Sequence, residues 1–303
     1  MIKKIPLPMA GLMLGLAALG NLLQSYSEAI RLVCGAISAV LGVLLICTAI
    51  FYFDMVKEDM KNPIIASVSG TFSMAVILLS AYAKSFLGNG AVYIWYLGII
   101  LHVLLILYFT IRFIIKLNMK TVFASYFIVY VGIVVASVTA PAFGKAALGL
   151  WILWFGMACC LVLLGIVTAR YIKHKEIPEP ARPLVCIYTA PISLCLAGYM
   201  QSAETKSLAM VCILLGLATA LYIMVLTQLP KLLKLPFYPS YSAFTFPMVI
   251  SAIALKMSAG FLGGMGYGGG ILPILVIVET IIAICLVVYV FIRYMSFLFK
   301  KPA

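Results

Sequence analysis

Ten apolar stretches, each close to the length that crosses a bilayer, constrain the fold of this chain more than any other feature. A membrane-spanning helix needs about 20 predominantly apolar residues. The stretches therefore predict an all-α polytopic membrane protein whose residues 1–303 form one transmembrane domain joined by short loops. We number them as spans 1 to 10: 6–24, 29–53, 63–83, 90–115, 122–142, 146–170, 183–201, 205–229, 238–261 and 271–293.

Composition and charge distribution support this class and argue against a nucleic-acid partner. The chain is 65% hydrophobic and 10% charged, with a mean hydropathy of +1.21, which excludes a soluble core. If the N-terminus is inside, sixteen Lys and Arg residues fall in inside segments and four fall outside. This bias predicts that both termini are cytoplasmic, so the net charge of +13 reports topology. The inside residues are Lys3, Lys4, Lys57, Lys61, Arg112, Lys116, Lys120, Arg170, Lys173, Lys175, Arg182, Lys231, Lys234, Arg293, Lys300 and Lys301, and the outside ones Arg31, Lys84, Lys145 and Lys206.

The first apolar run has the charged and hydrophobic regions of a signal peptide. It continues to about Leu23 without a small-residue cleavage site, and Pro6 and Pro8 stand at its beginning. We therefore expect it to remain as an uncleaved first span.

Interior prolines alternate along the spans. Pro8, Pro141, Pro191 and Pro247 all lie in odd-numbered spans, and span 3 carries a hydroxyl-rich segment instead. A broken or polar helix is tolerated at membrane depth only where protein or a watery cavity covers it. The alternation therefore predicts that the odd spans, kinked at these prolines, line a pore and that the even spans face lipid.

The other polar residues of the odd spans are hydroxyls, and none is Asp or Glu. Hydroxyl donors and helix-end dipoles without fixed negative charge suit anions, since cation pores generally use acidic rings or carbonyl filters. Small polar residues also help helices to pack closely, but packing does not explain why the hydroxyls of spans 3, 5 and 9 coincide with backbone breakers. We therefore favour pore lining. The predicted lining residues are Ser69, Thr71, Ser73, Ser137, Thr189, Ser193, Thr245 and Ser251.

Two ionisable residues at membrane depth are candidate charge sites, because such residues are costly there and are functional by default. Lys256 lies toward the outer end of span 9, and Glu279 lies in the outer half of span 10. Three interpretations stay open. In the first, the two residues pair with each other or Lys256 extends to the interface. In the second, Lys256 lies on the pore wall and attracts anions. In the third, Glu279 couples transport to protons.

No sequence pattern is typical of an enzyme, a cofactor site or a metal site. The eight cysteines all lie in apolar spans, and none forms a C-x-x-C pair, so they are expected to act as small hydrophobes. His174 lies in a basic loop, and His102 in span 4 fits packing better than a proton relay. Phosphate-loop, nucleophile-elbow and zinc-helix motifs are absent. We expect neither catalysis nor a cofactor.

Three short segments are similar to the tellurite-resistance/dicarboxylate transporter family, which includes bacterial TehA, fungal malate permeases and sulfite pumps, and plant slow anion channels. The segments are PLPMAG at 6–11, Ala-Pro at 190–191 and Thr-Phe-Pro-Met at 245–248. The resemblance implies five helical hairpins in a quasi-five-fold ring, with odd helices around a central pore. It also implies a homotrimer with one pore in each protomer, closed by a phenylalanine of the ninth helix, here Phe246.

The expected function is thus an anion channel of the plasma (inner) membrane for small inorganic or organic anions. An alternative within the family is a proton-coupled secondary transporter that exports dicarboxylate, sulfite or tellurite-type anions, which needs a titratable group in its path. A drug/metabolite-type transporter is an inverted repeat of five plus five spans, which matches odd spans with even ones. That architecture does not explain why the interior prolines occur in every second span. A third alternative, a structural or assembly protein of the membrane, predicts that the helices enclose no lumen.

Overall fold

The computed structural model describes residues 5–300, which contain helices and turns but no strand. Seven helical segments of this part are long and apolar enough to cross a membrane, and one of them, Pro63–Ile114, is 52 residues long and includes a hairpin. Met9–Leu23 and Gly132–Phe143 are shorter apolar helices. The predicted all-α polytopic class is confirmed. Lys3, Lys4 and Lys301, which contribute to the predicted cytoplasmic charge, lie outside the described residues.

The α-helices follow the apolar runs closely. Their bounds are α1 Met9–Leu23, α2 Glu28–Phe51, α3 Phe53–Asp59, α4 Pro63–Leu87, α5 Ala91–Phe109, α6 Tyr126–Tyr130, α7 Val135–Thr139, α8 Ala146–Lys173, α9 Ala190–Ser202, α10 Leu208–Leu232, α11 Phe246–Gly264 and α12 Leu272–Phe299. Side-chain caps begin several of them: Ser27 accepts from the Ile30 amide before α2, and Asn62 accepts from the Ile64 amide before α4.

Helices from the odd-numbered spans are short or interrupted by 3₁₀ segments. Glu179–Thr189 precedes α9, Pro239–Phe244 precedes α11, and Gly132–Val134 separates α6 from α7. Pro191 and Pro247 stand in the first turn of their α-helices, where the missing amide hydrogen costs little. The prolines thus mark junctions between 3₁₀ and α-helix, in place of the expected kinks within one continuous helix.

The other two prolines of the alternation stand at helix ends. Pro8 is the residue immediately before α1. Pro141 lies in the 3₁₀ turn Ala140–Phe143 that follows α7. Pro230 departs from the predicted pattern, since α10 continues through it to Leu232, so an even-numbered helix also contains a proline in its last turn.

Five spans form the interior, and span 5 supplies two of its helices, α6 and α7. Helix α1 contacts α4 and α11, α4 contacts α6 and α7, α7 contacts α9, and α9 contacts α11. Helices α2, α5, α8, α10 and α12 pack on the outside of these segments. The most apolar window of Glu179–Ser202 is 94% buried, whereas that of Leu208–Leu232 is 28% buried. The outer helices expose large apolar side chains such as Ile50, Leu161 and Ile213, as expected of lipid-facing surfaces.

Candidate anion pathway

A small cavity of about 40 Å³ lies where the interior segments meet. This volume holds water but leaves no room for a large hydrated ion. Every interior segment contributes to its wall, and none of the wall residues is charged. The wall residues are Gly11, Val68, Thr71, Met74, Phe127, Ile128, Val131, Gly132, Leu184, Ile187, Ala190, Pro191, Leu194, Ser242, Ala243, Phe246 and Pro247. We call it the inner cavity.

A wider cavity of about 580 Å³ lies beyond it, at the C-terminal ends of α1, α4 and α9. We call it the outer cavity. Asn21, Gln24, Arg31, Gln201 and Lys256 line it together with apolar residues, and no carboxylate is among its lining residues within 5–300. A concave surface with charges of one sign concentrates the field and attracts counter-ions.

Phe246 lies between the two cavities. Its side chain is 5% exposed, and it borders both the inner and the outer cavity. Leu194 of α9 also borders both. The sequence interpretation named Phe246 but missed Leu194, although its position one helical turn after Pro191 places it on the same face of α9.

The backbone before Phe246 explains how the ring reaches this position. The 3₁₀ segment Pro239–Phe244 ends at Thr245, whose φ of −93° and ψ of −92° break the helical path before α11 begins. The Thr245 hydroxyl lies within hydrogen-bond distance of the Gly11 carbonyl, at 2.9 Å, and of the Ser242 carbonyl, at 2.7 Å. The one hydroxyl hydrogen is shared between the two carbonyls, and this contact links the turn that carries the ring to α1.

Lys256 borders the outer cavity and does not pair with Glu279. Its ammonium group donates to the Leu22 carbonyl at 3.1 Å and to the Ser25 hydroxyl at 2.5 Å. Among the described residues, Arg31 pairs with Glu28 and Lys61 with Glu58, and Lys256 has no carboxylate partner there. The pairing interpretation is therefore wrong, since Lys256 is bound to neutral groups.

Glu279 lies outside both cavities. It is 7% exposed, and its Oε2 atom lacks a hydrogen-bond partner among the described residues. Ser251 of α11 and Tyr222 of α10 are close enough to interact with the carboxyl group. Glu279 therefore packs behind the helix that carries Phe246, away from the cavity walls.

His102 of α5 joins this outer helix to two interior helices, α4 and α6. The ring is fully buried, its Nδ1 lies 2.7 Å from the Ser73 hydroxyl, and its Nε2 lies 3.0 Å from the Val129 carbonyl. Val129 lies in α6, just before the 3₁₀ break. Since the carbonyl only accepts, Nε2 carries the hydrogen, and Nδ1 accepts from the Ser73 hydroxyl, which shares its one hydrogen with the Gly70 carbonyl at 2.9 Å. This geometry is that of a structural histidine.

Most of the predicted pore-lining hydroxyls serve helix packing. Thr71 is the one member of the predicted set that borders the inner or outer cavity among the described residues. Ser137 and Ser202 bond each other between α7 and α9. Such bonds satisfy buried hydroxyls within or between helices. Six other predicted hydroxyls also do not border either cavity: Ser69, Ser73, Thr189, Ser193, Thr245 and Ser251. The first five of these lie within hydrogen-bond distance of backbone carbonyls.

The fold and these cavities define a multi-pass helical membrane protein with an uncharged inner cavity and an outer cavity bordered by Arg31 and Lys256. The chain belongs to the voltage-dependent anion channel (SLAC1) family, whose model matches residues 4–295. The resemblance to the tellurite-resistance/dicarboxylate transporter family is thereby confirmed. Members of this family transport anions across membranes and are not enzymes. No curated protein matches the chain.

Proposed function

We propose that the protein is an anion channel of the plasma membrane whose pore is closed by Phe246. In this proposal, ten membrane-spanning segments form five hairpins, and the segments with interrupted helices surround the pore. The observation that carries it is the position of Phe246 between two cavities. A large apolar ring across a narrow apolar constriction blocks ions and water until it moves.

Two features of the pathway support anions as the permeant species. Lys256 borders the outer cavity and is bound only to neutral groups, while Arg31 borders it as the partner of Glu28. In addition, α9 and α11 begin at Ala190 and Phe246, which both border the inner cavity. Helix N-termini carry partial positive charge, so the narrowest part favours anions without a binding group that holds them.

Phe246→Ala tests the gate directly. Planar-bilayer recordings of the purified protein are expected to show little current for the native chain and a large anion-selective current for the variant. Phe261→Ala is the matched control, because Phe261 lies on the same helix but borders neither cavity. Equal currents from the native chain and Phe246→Ala would refute the gate. Equal gains in both variants would indicate general disruption of α11.

Proton-coupled export of dicarboxylate, sulfite or tellurite-type anions is the second candidate. Its motivation is the buried Glu279 carboxyl group, whose Oε2 lacks a partner among the described residues, although this group packs behind α11 and borders neither cavity. Proteoliposomes with an imposed proton gradient distinguish the two mechanisms. A channel gives anion flux that follows the anion gradient and is unchanged in Glu279→Gln, whereas coupled export requires the proton gradient and is lost in that variant.

We further propose that both termini are cytoplasmic and that three copies assemble with one pore each. The positive-inside distribution supports the orientation, and the family resemblance supports the trimer. Mass measurement of the detergent-solubilised protein tests the assembly. Protease protection of tags at both ends in inside-out vesicles tests the orientation, since cytoplasmic ends are cleaved there.

A further inference from the structure

A separate cavity of about 1090 Å³ opens at the end of the bundle opposite the outer cavity. Its wall includes the first turn of α4, residues 120–123, the end of α8 with the following loop, the start of the 3₁₀ segment Glu179–Thr189, and the end of α10. Five cationic side chains and one carboxylate, that of Glu176, line it. The cations are Lys120, Arg170, Lys175, Arg182 and Lys231. We call it the basic cavity.

Arg170 is the buried member of this set. It is 1% exposed, and its guanidinium group lies 4.3 Å from the centre of the Phe123 ring. Nη1 donates to the His174 carbonyl at 3.1 Å, and Nη2 donates to the Lys120 and Glu176 carbonyls at 3.3 Å each. Nε has no partner among the described residues. The arginine therefore holds the loop after α8 in place through neutral groups alone.

A buried charge without a counter-ion is expensive, and no carboxylate lies within ion-pair distance of Arg170 in residues 5–300. The other four cations are exposed and also lack carboxylate partners in this part of the chain. Their mutual repulsion adds to the cost. An anion in the cavity offsets both penalties.

We propose that the basic cavity binds a ligand that carries at least two phosphoryl groups. Five cations and one carboxylate leave a charge of +4 on the wall, and two phosphate monoesters carry about −3 to −4 at neutral pH. The guanidinium groups suit phosphate geometry, and the lysines supply point charges. The volume is that of a site for an organic ligand and not for a single halide. Soluble polyphosphates and polyphosphorylated lipid headgroups share this chemistry.

The test measures binding by the purified full chain in nanodiscs, without reference to conductance. In the first arm, ATP or inorganic pyrophosphate is titrated into phosphatidylcholine nanodiscs and followed by calorimetry. In the second arm, nanodiscs contain a bisphosphorylated phosphatidylinositol, and thermal stability is compared with nanodiscs lacking it. Binding in the first arm alone identifies a soluble ligand, and stabilisation in the second alone identifies a lipid headgroup. Either result supports the proposal.

The double variant Arg182→Gln/Lys231→Gln is expected to weaken binding by at least about tenfold, since it removes two charge-assisted contacts. The control, Lys173→Gln/Lys234→Gln, removes the same charge from exposed neighbours that do not line the cavity and is expected to bind as the native chain does. Both changes avoid the buried Arg170, whose loss threatens folding. The proposal is overturned if neither arm shows binding, if both double variants weaken it equally, or if chloride binds as tightly as pyrophosphate.

Discussion

Substituting Gly15 by alanine tests how closely α1 approaches the turn that carries Phe246. A Cβ atom at Gly15 would lie 2.5 Å from both Cβ and Oγ1 of Thr245 and 3.1 Å from the Phe246 nitrogen. Ordinary contacts of this kind begin near 3.4 Å, so the two segments must separate by about 1 Å. Rotation of the threonine does not relieve the clash, because its Cβ position is fixed by the backbone.

Separation is resisted by the hydrogen bond from the Thr245 hydroxyl to the Gly11 carbonyl. Overpacking of this kind in a dense interior costs about 1–3 kcal/mol. We therefore expect Gly15→Ala to unfold at a lower temperature and a lower denaturant concentration than the native chain. Intrinsic tryptophan fluorescence of the purified protein in one detergent provides the measurement.

Gly216→Ala is the matched control. Gly216 lies within α10, and a Cβ there meets nothing within 4 Å. Its replacement is expected to be neutral or to stabilise the helix by up to about 1 kcal/mol, because alanine is the better helix former. Equal stability of the two variants would refute the close approach of α1 to Thr245. If both variants were less stable than the native chain, the flexibility of glycine would matter more than the space around its Cα atom.

Two further substitutions test the outer cavity and the interior. In a conducting variant, Lys256→Gln is expected to lower the preference for anions, seen as a shift of the reversal potential toward the cation value, whereas Lys206→Gln, outside the cavity, leaves it unchanged. His102→Leu is expected to lower the free energy of unfolding by about 1–3 kcal/mol, because the buried Val129 carbonyl loses its donor. An unshifted reversal potential would contradict the role of Lys256, and a stable His102→Leu protein would contradict the structural role of that ring.

The sequence predicted several individual spans well because apolar length is a local property. Span 2 was expected at 29–53 and is found as Glu28–Phe51, and span 6 was expected at 146–170 and is found as Ala146–Lys173. The break within span 5 was not predicted. It occurs at Gly132–Val134 without a proline, next to a carbonyl that His102 of another helix satisfies. A partner so distant in the chain leaves no signal in the local pattern.

Some residues of the candidate site were predicted better than others, because the sequence does not show which helices contact each other. The Thr-Phe-Pro-Met motif directed attention to Phe246, which borders both cavities, and its role as a gate stays a prediction. Lys256 borders the outer cavity, and its orientation in the membrane also stays a prediction. The hydroxyls were misjudged, because a serine that bonds the carbonyl three residues earlier, as Ser69 and Ser73 do, has the same sequence signature as one that faces water. Only the contacts of the neighbouring helices decide between these environments.

The two cations that border the outer cavity differ in how far their charge is neutralised by neighbouring groups. Arg31 lies 2.5 Å from Glu28 and donates to Asn21, so much of its charge is neutralised locally. Lys256 is bound only to a carbonyl and a hydroxyl and lies 4.5 Å from the centre of the Tyr26 ring. Neutral partners hold the ammonium group in position without cancelling its charge. In the proposed channel Lys256 therefore raises the anion concentration at the outer cavity, while the apolar constriction at Phe246 lacks any group that would retain an anion. Conduction requires such weak binding, and this is why Lys256, more than Arg31, is expected to set selectivity.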